Sequence, residues 1–449
     1  MPSPVPLREA TSVWAYVGIN SFGGPAGQIA VMHREVVDQR RWISERRFLH
    51  ALNYCMVLPG PEAQQLATYV GWLMHGVRGG LIAGSLFVLP GFVVMMLLSA
   101  LYAMHGGVTW VSGLMLGLQA AVVAIVAQAL VKVAGRTLHT AMLRCTAVAA
   151  FIALFVFDAP FPLVVALAGV LGWAVGRWRA SWLPRFTGDD QDDPATTVST
   201  VVSDDERIPA PMARRALIAA AVCAVLWLAP VVTLVLLLGP ESIFTQQALL
   251  FSKTAVVTFG GAYAALAYVA QEAVGQFGWM SADDMTTGLG LAETTPGPLI
   301  LVLQFVGFLG AYNHPGSLAP LLAGVLGAVL TVWVIFLPCF MFIFAGAPFV
   351  DRLRHNRGLH NALSAISAAV VGVIANLALW FALSTFFEVD TWQFGPASLT
   401  VPDLPTVDVA AVLIALVAAV LVLRFRRSTL QVLGVCAALG MAVVVLGAS

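Results

Sequence analysis

The chain has 449 residues, of which 59% are hydrophobic and only 10% charged, and its net charge is zero. A soluble domain carries about 25% charged residues, so the composition excludes an ordinary soluble enzyme, and neutrality gives no sign of a nucleic-acid partner. Apolar runs near the length of a bilayer crossing recur at Leu81–Met104, Val108–Val131, Ala216–Leu238 and Leu318–Phe344; a crossing helix needs about 20 such residues. The expectation is an all-α polytopic protein that passes through a lipid bilayer many times. The first residues lack a basic region followed by a short apolar core, so no cleavable signal is expected.

Along the chain, the first feature is an interruption, Ser21-Phe22-Gly23-Gly24-Pro25, in an apolar segment. A basic loop follows with Arg34, Arg40, Arg41, Arg46 and Arg47. The stretch 50–76 is broken in its middle by Pro59-Gly60-Pro61, and the apolar stretches 81–104 and 110–131 lead to a second basic loop with Lys132, Arg136 and Arg144. Residues 178–213 are polar and acidic and bury too little apolar surface to order themselves, which predicts a flexible linker. One apolar helix, 214–238, then connects to a second half.

That second half repeats the first. Ser21-Phe22-Gly23-Gly24 returns as Thr258-Phe259-Gly260-Gly261, and the same shift of 237 residues carries Trp42 onto Trp279, Ser44 onto Ser281 and Pro59-Gly60-Pro61 onto Pro296-Gly297-Pro298. After a one-residue deletion, Tyr69–Leu73 matches Phe305–Leu309; further on, Phe87–Phe92 matches Ile335–Phe340 and Gln119–Gln128 matches Ser367–Asn376. Charges reverse between the copies. The basic loop after the first Gly-Gly matches 271–285, which has Glu272, Asp283 and Asp284 and no base. The uncharged loop at His105 matches one with Arg352, Arg354 and Arg357, and Lys132, Arg136 and Arg144 match a stretch with Glu388, Asp390, Asp403 and Asp408. Basic residues mark cytoplasmic loops, so the halves are expected to be inverted repeats.

If 33–48 and 132–144 are both cytoplasmic, one of the three apolar stretches between them must return to its own side, and the broken 50–76 is the natural choice. Each half then has two broken, re-entrant segments followed by four crossings. Helix 214–238 is the odd connector, giving about thirteen membrane segments. The competing arrangement, in which every stretch spans, places Lys132, Arg136 and Arg144 outside. The expected domains are a transporter repeat at 1–177, a cytoplasmic linker at 178–213, the connecting helix at 214–238 and the inverted repeat at 239–449.

Broken backbone at membrane depth is tolerated only against protein or a watery cavity, and half-helix N-termini in such places favour anions. The expected oxyanion site therefore gathers Gly23, Gly24, Gly60, Gly260, Gly261 and Gly297 with the polar side chains Asn20, Ser21, Gln64, Gln65, Thr258, Thr294, Thr295 and Gln304. These side chains either donate to the anion or merely cap half-helices. Lys253, in an otherwise apolar segment, reads as an anion-binding cation or as a lysine snorkelling to the interface. Glu62 and Glu293 flank the two Pro-Gly-Pro breaks and read as proton carriers, or, for Glu62, as a carboxylate favoured by a helix dipole. His33, Arg34 and Glu35 sit at the cytoplasmic mouth, where topology signal and salt bridging are the alternative. Trp42 and Trp279 read as interfacial anchors, and Gln119, Gln128 and Asn376 as makers of interhelical hydrogen bonds. The five cysteines, Cys55, Cys145, Cys223, Cys339 and Cys436, lack metal-ligand spacing and read as packing residues. Neither a metal cluster nor a nucleophile–base arrangement is visible, so no enzyme, cofactor or metal is expected.

Ser21-Phe22-Gly23-Gly24-Pro25, Arg40-Arg41-Trp42, Leu58-Pro59-Gly60-Pro61 with Gln65, and Lys253 before Thr258-Phe259-Gly260-Gly261 resemble the chromate ion transporter family in its long, two-half form. The resemblance covers nearly the whole chain. It implies export of chromate across the bacterial inner membrane, driven by the proton gradient, with chromate resistance as the outcome and sulfate as an isosteric competitor or related substrate. Two positions depart from the family pattern. Gln28 stands where members often have a histidine, and Tyr16 where they often have a base. A sulfate carrier or exchanger and an anion channel are the competing readings, and a homodimer is left open.

Overall fold

The computed structural model describes residues 5–106, 108–179, 182–183, 209–259, 261–350, 357–395 and 397–447. Most of the expected linker, Gly260, Arg352 and Arg354 lie outside them.

The first broken segment is α1 (Leu7–Asn20) followed by α2 (Gly24–His33), the second α3 (Glu45–Val57) followed by α4 (Glu62–His105). Helix α4 is itself two arms, because His75 (φ −134°, ψ 22°) and Gly76 (φ 62°, ψ −155°) leave the helical region. A side chain on Gly71 would run into the backbone of Gly79, so the chain folds back there and the arms pack through their glycines. Next come α5 (Thr109–Thr137), α6 (Ala141–Phe157), α7 (Phe161–Trp178) and the connector α8 (Ala210–Leu238).

The second half repeats this grammar with α9 (Ile243–Val257), α10 (Ala262–Ala270), α11 (Ala282–Thr294), a 3₁₀ turn at Leu299–Leu301, α12 (Val302–Asn313), α13 (Pro320–Gly346) and α14 (Arg357–Phe386). It closes with α15 (Val409–Ala419) and α16 (Thr429–Gly447). The repeat extends to fine detail. A π-helical turn occupies Arg34–Gln39 in one half and Gln271–Gln276 in the other, at the shift 271 − 34 = 237. Trp42 N–H donates to Val36 and Trp279 N–H to Ala273, both at 2.8 Å. Arg41 (φ 52°) and Gly278 (φ 60°) share the left-handed conformation before the tryptophans.

The helices α4, α5, α7, α8, α13, α14 and α16 are long and apolar enough to cross a membrane, and α6, α15 with its π-helical extension, and 299–313 are shorter apolar helices. A multi-pass membrane protein follows. By contrast α1, α3 and α9, at 14, 13 and 15 residues, reach only about 20 Å at 1.5 Å per residue, less than the hydrocarbon core. The expectation of an all-α chain needs one amendment. A two-stranded antiparallel hairpin, β1 (Val389–Phe394) and β2 (Ala397–Pro402), joins α14 to α15, with Trp392 opposite Leu399 and Gly395 (φ 61°) in the turn.

Two compact units emerge, each drawing on both halves of the sequence: Met1–Met96, Phe186–Ala262 and Thr295–Asn356 form the first, and Leu97–Arg185, Tyr263–Thr294 and Arg357–Ser449 the second. In the first, α13 packs on α8, α9 and α12; the buried residues of α8 are Ala216, Ala220, Cys223 and Val231, and the rest of α8 carries exposed Leu and Val suited to lipid. In the second, small residues let helices approach closely: Gly113 and Gly117 of α5 meet Gly440 and Cys436 of α16, and Gly172 of α7 meets Asn361 and Ala365 of α14.

Candidate functional site

All four breaks fall in the first unit, and two backbone hydrogen bonds cross-link them. Gly60 N–H donates to the Thr258 carbonyl and Gly297 N–H to the Ser21 carbonyl, both at 2.9 Å. The two bonds are images of one another under the repeat, since Ser21 matches Thr258 and Gly60 matches Gly297. The glycines are required by conformation: Gly23 (φ 82°), Gly24 (φ 72°), Gly60 (φ 111°), Gly261 (φ 99°) and Gly297 (φ 86°) all adopt the positive φ that side chains resist. Above Gly23, Gly24 and Gly261 there is open space, whereas Gly60 lies against Cys339 and Gln65.

A small cavity of about 20 Å³ sits among the breaks, with room for about one water molecule. Its lining includes Pro25 from the start of α2, Glu62 and Ala63 from α4, Gly261 and Ala262 from α10, and Leu299 and Ile300 ahead of α12. Four helix N-termini therefore face one space, and each is the positive end of a helix dipole with spare N–H groups. Among the described residues no basic side chain lines it, and Glu62 and Gln28 are its polar side chains.

The other expected site residues sort by their partners. Ser21 is buried and its hydroxyl donates to the Val17 carbonyl at 2.6 Å. Asn20 is exposed and bonds back to Tyr16. Gln65 donates to the Pro59 carbonyl at 2.6 Å, Gln64 to the Thr68 hydroxyl at 3.1 Å and Gln304 to the Phe92 carbonyl at 2.9 Å. Thr258 is buried, and its hydroxyl has no hydrogen-bond partner among the described residues. Thr295 is buried too. Lys253 lies on the exposed face of α9, while Phe251, Thr254 and Ala255 face the interior. Gly260 is outside the described residues.

In the second unit, Glu293 is buried at the end of α11 and accepts a 2.7 Å hydrogen bond from the Tyr263 hydroxyl. Thr294, beside it, donates to Leu291. Gln119 of α5 donates to the Thr287 hydroxyl and the Asp283 carbonyl of α11, an interhelical bond of the kind expected.

The mouth residues form an ion-pair cluster. His33 bridges Asp38 and Glu45 and meets Phe48 edge-on; buried Glu35 pairs with Arg40 and, at 3.6 Å, with Arg34. Trp42 is buried beneath Arg40, so it is a packing residue in this fold as well as an aromatic near a helix end. Sequence reasoning missed two partners, Tyr263 and Gln28. Gln28, noted only as a departure from a family pattern, donates to the Gly297 carbonyl at 2.6 Å and so ties the first break to the fourth. Glu293 and Tyr263 are thirty residues apart, with no local motif joining them.

The family model described as "Chromate transporter" matches residues 9–173 and 245–441, one match per half. The chain is 33% identical over 384 residues to the chromate transport protein of Pseudomonas aeruginosa, covering 83% of this chain and 80% of that one. It is 24% identical to the probable chromate transport protein of Synechococcus elongatus over 88% of this chain and 89% of the relative, and 24% identical to the chromate transport protein of Cupriavidus metallidurans over 94% and 89%. No solved structure matches it. With both halves matched and the glycine breaks in place, this chain belongs to the chromate transporter family of multi-pass membrane proteins.

Proposed function

We propose that the protein is a secondary transporter of the bacterial inner membrane that exports chromate from the cytoplasm in exchange for protons, and that its two halves are inverted. The observation that carries this reading is the meeting of four helix N-termini at one cavity. A tetrahedral dianion presents acceptor oxygens on every side, and clustered N–H groups at positive dipole ends match it without a fixed cation. The relatives' names, chromate transport proteins, supply chromate; sulfate has the same shape and charge and is the natural competitor.

The cavity also supports a moving part. It accommodates about one water, too little for a tetrahedral oxyanion, so binding requires the Gly60–Thr258 and Gly297–Ser21 bonds to yield. Glu62 lies at the same space; a carboxylate and a dianion compete for the same N-termini, so loading of the anion favours a protonated Glu62. Glu293, held by Tyr263, is the second proton-carrier candidate. The short helices α1, α3 and α9 favour re-entrant hairpins over full crossings, and nine crossings with four hairpins make up thirteen segments.

Flux of labelled chromate into vesicles with and without a pH gradient tests the reading. Saturable flux that follows the gradient and is inhibited by sulfate is expected. Electrical flux that saturates poorly and ignores the proton gradient would make the protein a channel.

A further inference from the structure

Both halves carry the π-helical turn, but they differ in what it holds. A π turn closes bonds between residues five apart, which an α-helix leaves on different sides. Two side-chain pairs of the first half use that spacing, His33 with Asp38 and Glu35 with Arg40. At the shift of 237 residues, His33, Asp38 and Glu45 become Ala270, Gly275 and Ala282. The second half makes the same turn without these groups, so the fold does not require them.

His33 ends α2, and its ring is held from two elements. Nδ1 meets Asp38 of the turn at 3.2 Å, and Nε2 meets Glu45 in the first turn of α3. Phe48, also on α3, packs edge-on with ring centroids 5.0 Å apart. A neutral imidazole has one N–H and one bare lone pair, and ionised carboxylates only accept. Two ring nitrogens against two carboxylates are both satisfied only with one additional proton, on the ring or on an acid. Water has access to supply it, since the side chain of His33 is 27% exposed and those of Asp38 and Glu45 are 58% and 56% exposed. Of the other charged groups nearby, Arg34 and Arg40 pair with Glu35. Arg8 and Glu9 of α1, Arg41 after the turn, and Arg46, Arg47 and His50 of α3 are the remaining charged residues and histidines of these elements.

The joint lies at the far ends of the two helices from the breaks. Helix α2 starts at the first break and α3 stops at the second. The first half lines the small cavity with Pro25 and Gln28 of α2 and with Pro61, Glu62 and Ala63 beyond α3. That cavity must widen to admit a tetrahedral oxyanion, and a tie between α2 and α3 resists the spreading of these walls.

We propose that His33, Asp38 and Glu45 form a proton-operated clamp that ties α2 to α3 and slows anion loading as the surrounding water acidifies. The clamped form holds more protons than the released one, so its stabilisation is present at low pH and lost as pH rises. Beside the basic loop, it throttles proton entry into an acidified cytoplasm. This regulatory role rests on the transport reading above; the clamp itself does not.

The test uses the purified full chain, first in detergent without oxyanion. His33→Gln keeps a donor but takes up no proton. Wild type should unfold at a higher temperature than His33→Gln at about pH 6 and lose that advantage at about pH 8, the span over which histidine changes charge. Glu45→Gln, on the other side of the ring, should remove the same pH-dependent gain. In proteoliposomes at equal pH on both sides, His33→Gln should exchange labelled chromate about two- to fivefold faster than wild type at about pH 6 and match it at about pH 8, the scale of part-exposed pairs. The ratio of variant to wild type at each pH cancels the titration of Glu62 and Glu293, which both proteins share. A difference in unfolding temperature that stays constant with pH overturns the clamp. A pH-dependent difference with a constant exchange ratio overturns its regulatory role. Exchange by none of the proteins at either pH defeats the transport reading instead, and the unfolding temperatures then decide the clamp alone.

Discussion

Replacing Gly60 with alanine perturbs the crossing at its tightest glycine. The residue has φ 111°, outside the region a side chain tolerates, and a Cβ would lie 2.9 Å from Cys339 Sγ and 3.1 Å from Gln65 Nε2. Backbone strain of this kind costs about 1–3 kcal/mol, and forcing a methyl into a filled interior adds about 1–3 kcal/mol. Gly23 separates the two terms, because it also has positive φ (82°) but meets nothing within 4 Å. Gly60→Ala should therefore be the less stable variant by about 1–3 kcal/mol, measured by chemical unfolding in detergent micelles. The other half supplies a rescue. Cys339 matches Gly91 in the repeat, and Gly91 presents only its Cα, 3.6 Å from where a side chain on Gly297 would begin, so Cys339→Gly in the Gly60→Ala background should recover part of the packing loss but none of the strain. Equal stability of Gly60→Ala and Gly23→Ala, or a double mutant with no positive coupling, would refute the packing argument.

Gln28→Leu removes the donor to the buried Gly297 carbonyl and should destabilise the protein by about 1–3 kcal/mol in the same unfolding assay. Tyr263→Phe strips a hydrogen bond from the buried Glu293 carboxylate and should cost about 1.5–3 kcal/mol, while Glu293→Gln should retain chromate binding but lose acceleration by an imposed pH gradient. Glu35→Gln breaks a pair whose Arg40 is a third exposed, so its cost should be about 1–3 kcal/mol, less than for a fully buried pair. Lys253→Ala separates its two readings: unchanged flux at normal protein level identifies a snorkelling lysine. Membrane-impermeant labelling of cysteines placed at Arg46 and Asp283 should occur from opposite sides, and labelling from one side would refute the inversion.

Much of the site was legible because its signals are local. Gly-Gly-Pro and Pro-Gly-Pro stop helices whatever surrounds them, and α1, α3 and α11 end within a few residues of those motifs. The constant shift of 237 residues anticipated the paired π-helical turns and the paired Ser44 and Ser281 positions, whose side chains accept from the backbone of Arg47 and Asp284. Facing directions were not legible. Helix α9 mixes apolar residues with the polar Thr245, Gln246, Gln247, Ser252, Lys253 and Thr254, so periodicity could not place Lys253 outside and Thr254 inside. Amide orientation was hidden as well. Gln65 and Gln304 read as donors to an anion, yet their hydrogens go to the carbonyls of Pro59, in the second break, and of Phe92, 212 residues away in the chain. The β-hairpin was read only for its charges, although Val389, Thr391, Trp392 and Phe394 ahead of Gly395 carry ordinary strand and turn preferences.

The central claim is proton-driven export of chromate through the crossing of four breaks. Inside-out vesicles carrying the protein, with an acidic lumen and labelled chromate outside, test it most directly. The account predicts saturable chromate accumulation that collapses on addition of a protonophore and is absent with Gly60→Ala. Accumulation no greater than in vesicles lacking the protein, or uptake indifferent to the pH gradient, would contradict it.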